Sequence, residues 1–359
     1  MRFSYKVAGG LAIGAAAGGA ALGLGAAVAA REFYRWWRLE NLAGEVALIT
    51  GGSRGLGLAM AEQFARQGSK LVICAREQHE LELAKERLED LGAEVLTVIC
   101  DVSDRAQVTQ MIEQAEERFG HVDILVNNAG IITVGPIESQ TVEDFERSMD
   151  TIFWGTVYPT LAVLPQMLAR RSGRIVNITS IGGRVSVPHL LPYNCAKFAA
   201  VGFSEGLRAE LKRESIKVTT VVPGLMRTGS YIQAEMKGNM QAEYTWFGVS
   251  STLPLLTISA ERAAKRIIAA VRRGQADLVL TPQAKLAAFA HGVAPGMTAD
   301  LLGLVNYALP RAVGSKNDRR QGKEIAAPVI DSPVTALGKR AVRRYQHREP
   351  SKTAAPAEA

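Results

Sequence analysis

Short apolar stretches alternate with amphipathic stretches between residues 44 and 282. Within Gln78–Leu91, for example, Leu81, Ala84 and Leu88 recur at helical spacing against a charged opposite face, which predicts a helix. The apolar stretches predict seven strands, at Val46–Thr50, Lys70–Cys74, Glu94–Cys100, Ile124–Asn127, Arg174–Thr179, Lys217–Val222 and Asp277–Leu280. Strands that alternate with helices favour a parallel sheet that is covered on both faces. The prediction is an α/β fold, a doubly wound, mostly parallel seven-stranded sheet.

An uncharged run precedes this body. Val7–Ala30 contains 24 residues, eleven of them Ala and seven Gly, and residues 31–38 after it are aromatic and basic. The length is enough to cross a membrane, so residues 1–40 are interpreted as a membrane-anchor-like segment. The basic residues after the run slightly outnumber those before it, which favours a catalytic body in the cytoplasm. A secretory signal cleaved after Ala27-Val28-Ala29, and a soluble leader on a cytoplasmic protein, stay open as alternatives.

Three segments follow the sixth predicted strand. Tyr231–Leu256 carries aromatic and methionine side chains and is predicted to be either a lid over a ligand or a helical pair packed on the body. Residues 283–310 predict an apolar, helical C-terminal extension that glycine and proline interrupt. Residues 311–359 read as a basic, disordered tail, with one short helix conceivable at Val334–Tyr345.

Composition and charge exclude several classes of protein. The 359 residues are 47% hydrophobic and 21% charged, which is typical of a globular protein. Residues 311–359 hold eleven Lys/Arg and five Asp/Glu, so they carry +6 of the net charge of +7. The body is nearly neutral and shows no basic stripe, so nucleic-acid binding is not expected. Three cysteines without a CxxC pair, and no His/Cys/Asp cluster at metal-ligand spacing, predict neither a disulfide framework nor a catalytic metal.

A glycine-rich segment, Thr50–Gly57, joins the first strand to a helix predicted at Leu58–Gln67. Gly51, Gly55 and Gly57 would allow a tight turn and a close approach of the backbone to a pyrophosphate. The free amides and the dipole at the N-terminus of the helix would bind the phosphate charge. A Rossmann-type dinucleotide site is therefore predicted at this turn.

The T-G-x-x-x-G-x-G spacing resembles the classical short-chain dehydrogenase/reductase family, and the resemblance covers residues 44–282. Four further motifs of the family follow in the same order: Asp101 after the third strand, Asn127-Asn128-Ala129-Gly130 after the fourth, Ser180 with Tyr193-x-x-x-Lys197, and Pro223-Gly224 with Thr228. Five motifs in one order make a chance match very improbable.

The resemblance implies a role for each matching position. Ser180, Tyr193 and Lys197 would be the catalytic residues, and Ser180 and Tyr193 would also bind the substrate. The cofactor would be held by Thr50, Gly51, Ser53, Arg54, Gly55, Leu56, Gly57, Arg76, Asp101, Val102, Asn128, Ala129, Gly130, Tyr193, Lys197, Pro223, Gly224 and Thr228. The family also implies a homo-oligomer.

The chemistry of the tyrosine and the lysine agrees with these roles. An alkoxide formed by hydride transfer needs a proton, and a tyrosine with a pKa near 10 is a poor partner at neutral pH. Lys197 lies one helical turn from Tyr193 and puts a positive charge on the same face. We expect this charge, together with an oxidised nicotinamide, to lower the tyrosine pKa by ~3 units, which needs about 4 kcal/mol. Ser180 would donate a hydrogen bond to the substrate oxygen.

The end of the second strand predicts the cofactor. An acidic residue there would bind the adenosine ribose hydroxyls of NAD(H), but the chain reads Cys74-Ala75-Arg76. Arg54 and Arg76 would form a pair of guanidinium groups for a 2′-phosphate. The sequence therefore favours NADP(H) over NAD(H).

Two positions leave the interpretation open. Ile152 stands where the family usually has a catalytic asparagine, and its side chain cannot hydrogen-bond. Another group or the backbone would then carry the proton relay, or catalysis would be slower. His189 could touch the substrate, although a surface-loop histidine is the commoner case.

The prediction is an NADP(H)-dependent oxidoreductase that interconverts a secondary alcohol and a ketone or aldehyde, on a lipophilic substrate. An epimerase or dehydratase reaction at the same site, and a membrane-tethered nucleotide-binding scaffold that has lost turnover, are the alternatives.

Overall fold

The computed structural model describes residues 39–254, 256–315 and 318–346. The predicted membrane-anchor-like segment, except its last two residues, and the end of the tail lie outside these residues. The chain divides into two units, residues 1–41 and 42–359, and the seven-stranded sheet belongs to the second.

The sheet contains seven parallel strands, which lie side by side in the order Asp277–Val279, Ile216–Val222, Gly173–Ile178, Ile124–Asn127, Val46–Thr50, Lys70–Ala75 and Val95–Ile99. Its strands are β1 Val46–Thr50, β2 Lys70–Ala75, β3 Val95–Ile99, β4 Ile124–Asn127, β6 Gly173–Ile178, β7 Ile216–Val222 and β11 Asp277–Val279. Five two-residue strands lie outside it: β5 Thr133–Val134, β8 Met226–Arg227, β9 Glu235–Met236, β10 Ile258–Ser259 and β12 Arg320–Gln321. The predicted fold class and all seven predicted strands are confirmed, with bounds that differ by at most one residue at either end.

Helices cover both faces of the sheet. The α-helices are α1 Gly55–Ala65, α2 Gln78–Glu89, α3 Arg105–Phe119, α4 Val142–Ser148, α5 Gly155–Arg170, α6 Leu191–Glu210, α7 Met240–Ser250, α8 Ala260–Arg272, α9 Pro282–Val293, α10 Pro295–Asn306, α11 Pro328–Asp331 and α12 Ala336–Tyr345. A π-helix, Met149–Trp154, joins α4 to α5. Short 3₁₀ helices lie at Ile137–Ser139, Ile181–Gly183, Leu211–Glu214, Ser230–Ile232, Gly322–Glu324 and Pro333–Thr335.

Two apolar layers bury the faces of the sheet. Phe64 of α1 and Ile267 of α8 belong to the layer on one face, and Met111 of α3 and Met167 of α5 belong to the layer on the other. Because the central strands are covered on both sides, all five residues of β1 are buried. The parallel strands bring their carboxyl ends, and the loops that follow them, to one edge.

The helix that runs from α4 to α5, Val142–Arg170, is long and apolar enough to cross a membrane by length and composition. It packs on the sheet through Val163 and Met167, which are fully buried. A core helix of a folded domain passes the same test of length and hydropathy.

The prediction of a disordered tail is wrong for residues 318–346, whereas the short helix considered at Val334–Tyr345 forms as α12, Ala336–Tyr345. This segment adds β12, α11 and α12 to the body, and Val342 and Tyr345 of α12 are 2% and 3% exposed. The apolar residues of α12 were too few to predict burial from its own composition, but α1, α7 and Tyr231 supply the surface that covers them. The segment is therefore part of the fold.

Residues 282–306 form two helices, as the apolar pattern of the extension indicated, but the helices bury little. Only Ala284 of α9 is buried, and α10 buries none of its residues. The large apolar side chains of this pair are 46–88% exposed, namely Leu286, Phe289, Val293, Met297, Leu301, Leu304, Val305 and the following Tyr307.

Candidate active site

The glycine-rich turn disfavours side chains at its three predicted glycines, through backbone conformation at two of them and lack of space at the third. Gly51 and Gly55 have φ values of +63° and +59°, which L-residues with side chains rarely adopt. A Cβ on Gly57 would lie 2.0 Å from the Gly51 carbonyl oxygen and 2.7 Å from Asn128 Nδ2. The first turn of α1 carries no acidic residue, and Arg54 at its N-cap makes no side-chain capping bond. Its first amides are therefore available to an anion at this edge of the sheet.

A polar cavity of about 600 Å³ lies along this turn and the carboxyl ends of the strands. Most predicted cofactor residues line it: Gly51, Ser53, Arg54, Gly55, Leu56, Arg76, Asp101, Val102, Asn128, Ala129, Gly130, Tyr193, Lys197 and Thr228. Four do not. Thr50 and Gly57 lie behind the turn, and Pro223 and Gly224 line a second cavity.

Asn128 and Thr50 support the turn from behind. The Thr50 hydroxyl accepts hydrogen bonds from the backbone N–H groups of Asn128 and Ala129, at 2.9 and 3.1 Å. Asn128 Nδ2 donates to the carbonyl oxygens of Thr50 and Gly51, at 3.0 and 3.1 Å. These bonds fix the end of β4 against the end of β1, so both residues position the backbone of the predicted dinucleotide site.

The two predicted phosphate-binding arginines have acidic partners. Arg54 Nη1 lies 2.5 Å from Glu80 Oε2, and Ser53 donates to the same carboxylate oxygen. Arg76 Nη1 lies 3.8 Å from Asp101 Oδ2, and its side chain is 60% exposed. The sequence pattern did not reveal Glu80 as a partner, because α2 brings it to the turn from the next βα unit.

Tyr193 and Lys197 line one edge of the polar cavity, and the Ser180 hydroxyl lies beside Tyr193. Ser180 follows β6, where its hydroxyl accepts a hydrogen bond from Gly182 N at 3.0 Å. Tyr193 and Lys197 lie one turn apart near the N-terminus of α6. Lys197 Nζ donates to the Ile178 carbonyl oxygen at 2.8 Å and lies 5.7 Å from the centroid of the Tyr193 ring. The cation therefore faces the ring from a position fixed by β6.

Burial is the main influence on the pKa values of Tyr193 and Lys197. It raises the pKa of Tyr193 above its usual value, and an interaction with the Ser180 hydroxyl partly offsets this. Burial lowers the pKa of Lys197 to about 8. Burial and Ser180 account for the shift of the tyrosine pKa, and Lys197 is not among its causes. The lowering expected from Lys197 together with an oxidised nicotinamide therefore stays a prediction for the cofactor-bound protein.

Ile152, which stands where the family usually has an asparagine, is a buried apolar side chain in the structure. It is 1% exposed in the π-helix and packs with Ala196 and Ala200 of α6. Its carbonyl oxygen already accepts a hydrogen bond from the Thr156 hydroxyl at 2.7 Å. A Cβ on Gly130 would lie 3.7 Å from Ile152 Cγ1 and 3.9 Å from Lys197 Nζ, so both side chains reach the surroundings of Gly130.

A second cavity, of about 410 Å³, adjoins the first. Its walls are mostly apolar, and they include Leu190, Trp246, Phe247 and Leu302. Tyr193 lines both cavities, whereas Ser180 lines this one. The phenol therefore lies between a polar space and an apolar one.

His189 is not on the surface, so that interpretation is wrong. The residue has a φ of +63° and a side chain that is 5% exposed, and its Nδ1 lies 2.8 Å from Glu243 Oε1. The other oxygen of Glu243 accepts a hydrogen bond from Trp246 Nε1 at 2.6 Å. Glu243 and Trp246 belong to α7, so these contacts fix α7 to the loop before Tyr193. Tyr231–Leu256 was predicted to be either a lid over a ligand or a packed helical pair. In the structure its described residues contain one packed α-helix, α7, which also forms a wall of the apolar cavity.

Sequence reasoning missed the contribution of the C-terminal segment. Gln321, Lys323 and Gln346 line the polar cavity. None of them belongs to a motif, and a pattern of charges and glutamines in a basic tail carries no signal for such a role.

The comparisons with known proteins agree with the geometry. A family model described as short chain dehydrogenase matches residues 45–237. The 17-beta-hydroxysteroid dehydrogenase 13 of Rattus norvegicus is 35% identical over 201 residues, which cover 55% of this chain and 67% of that protein.

Two solved structures are similar to the described fold. L-sorbose reductase from Gluconobacter frateurii, complexed with NADPH and L-sorbose, has a TM-score of 0.61 at 28% identity and covers 68% of this chain and 97% of its own. A short chain dehydrogenase/reductase from Burkholderia phymatum, in complex with NAD, has a TM-score of 0.66 at 25% identity. The match covers 72% of this chain and 96% of that protein. Both cofactors thus occur among similar structures.

The lowered pKa of Lys197 predicts a rise of stability with pH. The unfolded chain binds a proton at this position up to a pKa of about 10.5, whereas the folded chain releases it near pH 8. Between these values the unfolded state binds more protons, so the free energy of unfolding increases with pH, by about 3 kcal/mol at most. Urea unfolding between pH 7.5 and 10 should show this gain in the wild type and lose it in Lys197→Met.

Lys285→Met, at an exposed position of α9, is the matched control and should follow the wild type across the same pH range. Parallel curves for the wild type and Lys197→Met would contradict the assignment.

Proposed function

Since the chain belongs to the short-chain dehydrogenase/reductase family, we propose that it is an NADP(H)-dependent oxidoreductase that interconverts an alcohol and the corresponding ketone or aldehyde of a lipophilic molecule. One observation carries the proposal: Tyr193 lies where a polar cavity along the glycine-rich turn meets an apolar cavity. The turn fits a dinucleotide, because Gly51, Gly55 and Gly57 leave its backbone uncovered.

When bound, the nicotinamide dinucleotide supplies or accepts the hydride. Tyr193 holds a proton at Oη and transfers it to the substrate oxygen during reduction. Ser180, on the substrate side, donates a hydrogen bond to the same oxygen and stabilises the charge that develops there. Because burial raises the pKa of Tyr193, the phenol stays protonated at neutral pH. The protonated phenol is the form that donates the proton in the carbonyl-reducing direction.

Loss of the phenol should stop the chemistry and spare the cofactor. We expect Tyr193→Phe to lower kcat for NADPH oxidation by ~100-fold or more, since it removes the proton donor. NADPH binding, followed by fluorescence, should change by less than about threefold, because the ring that lines the cavity is kept. The assay takes the full chain in detergent with ketones and aldehydes of increasing apolar size.

Tyr307→Phe is the control, because this tyrosine is 88% exposed and should behave as the wild type. Turnover that persists in Tyr193→Phe would reject the proposed proton donor.

A nucleotide-binding scaffold without turnover is the second candidate, and Ile152 at the usual position of the family's asparagine favours it. Tight NADPH binding without turnover on the whole panel would support it. An epimerase or dehydratase at the same site would instead convert substrate without net oxidation of the cofactor. Absence of turnover could come from a proton relay that Ile152 impairs, or from a substrate outside the panel. Ile152→Asn distinguishes the two, because it restores turnover only where the relay is impaired.

We base the preference for NADP(H) on charge at the end of β2. The strand ends at Ala75 and is followed by Arg76, so no acidic residue stands at the position where one would repel a 2′-phosphate. Arg54 and Arg76 both line the polar cavity. Glu80 and Asp101 oppose these charges, so we expect the preference to be moderate.

The ratio of kcat/KM for NADPH to that for NADH measures this preference. Arg76→Ala and Arg54→Ala should each lower the ratio by about tenfold, because a charge-assisted hydrogen bond to the phosphate is lost. Glu80→Gln should raise it, because Arg54 then keeps its full charge for the phosphate.

Arg105→Ala, at the exposed start of α3, is the control for the loss of one positive charge. An unchanged ratio in both arginine variants would show that these residues do not select the cofactor.

A lipophilic substrate is supported by the apolar cavity. Its walls are built mainly from aliphatic and aromatic side chains, and Ser180 and Tyr193 are among the polar groups that line it. This arrangement suits a carbonyl group on a large apolar body. The name of the similar rat protein refers to a hydroxysteroid, a molecule of this class.

We further propose that the protein is membrane-associated, with its catalytic domain in the cytoplasm. The uncharged run at residues 7–30 supports this on length. Helices α9 and α10 support it independently, because their apolar side chains are exposed and Ala287 and Leu302 border the apolar cavity. An apolar helix pair at the rim of this cavity fits a lipid surface from which a lipophilic substrate enters.

If α9 and α10 contact a lipid surface, charged substitutions on them should raise KM for a lipophilic substrate and leave KM for a water-soluble one unchanged. In the full chain, Phe289→Glu combined with Leu301→Glu should raise KM about tenfold or more for a lipophilic ketone in phosphatidylcholine vesicles, because charged side chains oppose burial in lipid. KM for a small water-soluble ketone should stay the same.

Val142→Glu is the matched control, because Val142 is 68% exposed but lies on α4. An equal rise of KM for both substrates would indicate damage to the site instead of lost lipid contact, and no rise for either would reject the proposal.

The homo-oligomer implied by the family is likewise a proposal. Trp154, Leu161 and Phe198 support it, since they are 40–54% exposed on the π-helix, α5 and α6.

A further inference from the structure

The segment 318–346 closes one side of the polar cavity. β12 pairs antiparallel with β9, and Gly322 N donates to the Ala234 carbonyl oxygen at 2.9 Å. Gln321 and Lys323, which belong to this part of the segment, line the cavity. The family model ends at residue 237, so the segment lies outside the part of the chain that this model matches.

Helix α12 docks beside the glycine-rich turn. Arg87 of α2 donates to the Arg344 carbonyl oxygen, and its guanidinium lies 5.4 Å from the centroid of the Tyr345 ring. Arg344 also pairs with Glu261 of α8 at 2.5 Å. A Cβ on Gly229 would lie 2.9 Å from Val342 Cα, so the backbones approach closely. These contacts fix the C-terminal end of α12 against α2, α8 and the turn that contains Gly229.

Gln346 follows α12 directly and enters the cavity. Its side chain is 1% exposed, and Nε2 donates to the Thr228 carbonyl oxygen at 2.9 Å. A Cβ on Gly55 would lie 3.6 Å from the same nitrogen. Within the described part of the chain, Oε1 of Gln346 is buried without a hydrogen-bond partner. The amide thus lies between Thr228 and the glycine-rich turn, with one N–H and one oxygen unused.

An unpaired amide oxygen in a buried position costs free energy, so its presence at a cavity calls for a ligand. A dinucleotide offers both kinds of partner, since phosphate oxygens accept hydrogen bonds and ribose hydroxyls donate them. We propose that Gln346 binds the cofactor, through its free N–H and Oε1, and that segment 318–346 is a built-in part of the dinucleotide site. This inference rests on the proposed cofactor function.

Segment 318–346 would then take part in binding the cofactor. Thr228 is one of the family's motif positions, and Gln346 is attached to its carbonyl oxygen although the two lie 118 residues apart. Binding of the dinucleotide would therefore hold α12 more firmly on the body, and α12 would slow the release of the dinucleotide.

The test measures binding and not turnover. NADPH is titrated into the full chain by fluorescence, with the wild type, Gln346→Ala and Gln346→Glu. We expect Gln346→Ala to bind about 3- to 10-fold more weakly, as for the loss of one or two neutral hydrogen bonds. Gln346→Glu should bind still more weakly, because a carboxylate has no N–H and repels phosphate. Arg343→Ala, an exposed neighbour on α12, is the control and should match the wild type.

A second measurement separates binding from a merely structural role. Addition of NADPH should protect the amides of residues 336–345 from hydrogen exchange in the wild type, and this gain should be lost in Gln346→Ala. Wild-type affinity in both Gln346 variants would overturn the inference, and tighter binding would show that the side chain obstructs the site. If the wild type bound neither NADPH nor NADH, the proposed cofactor function itself would fail, and the inference with it.

Discussion

The site depends on one close approach, between the glycine-rich turn and the end of β4. Gly57 has no space for a Cβ, which would lie 2.0 Å from the Gly51 carbonyl oxygen and 2.7 Å from Asn128 Nδ2. Hydrogen bonds from Asn128 and Ala129 to Thr50 hold the same contact from the side of β4. This packing directs the N-terminus of α1 to the carboxyl edge of the sheet, where the other motif residues converge.

At that edge, Tyr193 lines both cavities, and the proposed function rests on this position. The phenol lies between a polar cavity and an apolar one, and Ser180 lies on the apolar side. Lys197 is held by the Ile178 carbonyl oxygen, so β6 fixes the cation as well as the serine that follows the strand. Burial then acts in opposite senses on the two groups, since it raises the pKa of the tyrosine and lowers that of the lysine. Burial is thus the main influence on the protonation of both side chains.

Two peripheral elements complete the cavities. Glu243 and Trp246 of α7 are hydrogen-bonded to each other, and Glu243 also bonds His189, so the apolar wall is attached to the loop before α6. Segment 318–346 encloses the polar cavity from the other side. Each element is fixed by a few buried polar contacts in addition to apolar packing, which sets its position more narrowly than hydrophobic burial alone would do.

The sequence by itself determined the sheet and the motif residues. The strands are local apolar runs between turn signals, and the glycine turn, Ser180 and the Tyr193–Lys197 pair follow a fixed spacing, so local pattern was sufficient for both. Only the tertiary structure decided which partners these residues have. It placed Glu80 against Arg54, buried His189 against Glu243, left α9 and α10 exposed, and brought Gln346 to Thr228. These contacts join residues that lie far apart in the chain, and no local periodicity encodes them, because each depends on how separate helices pack around the same sheet.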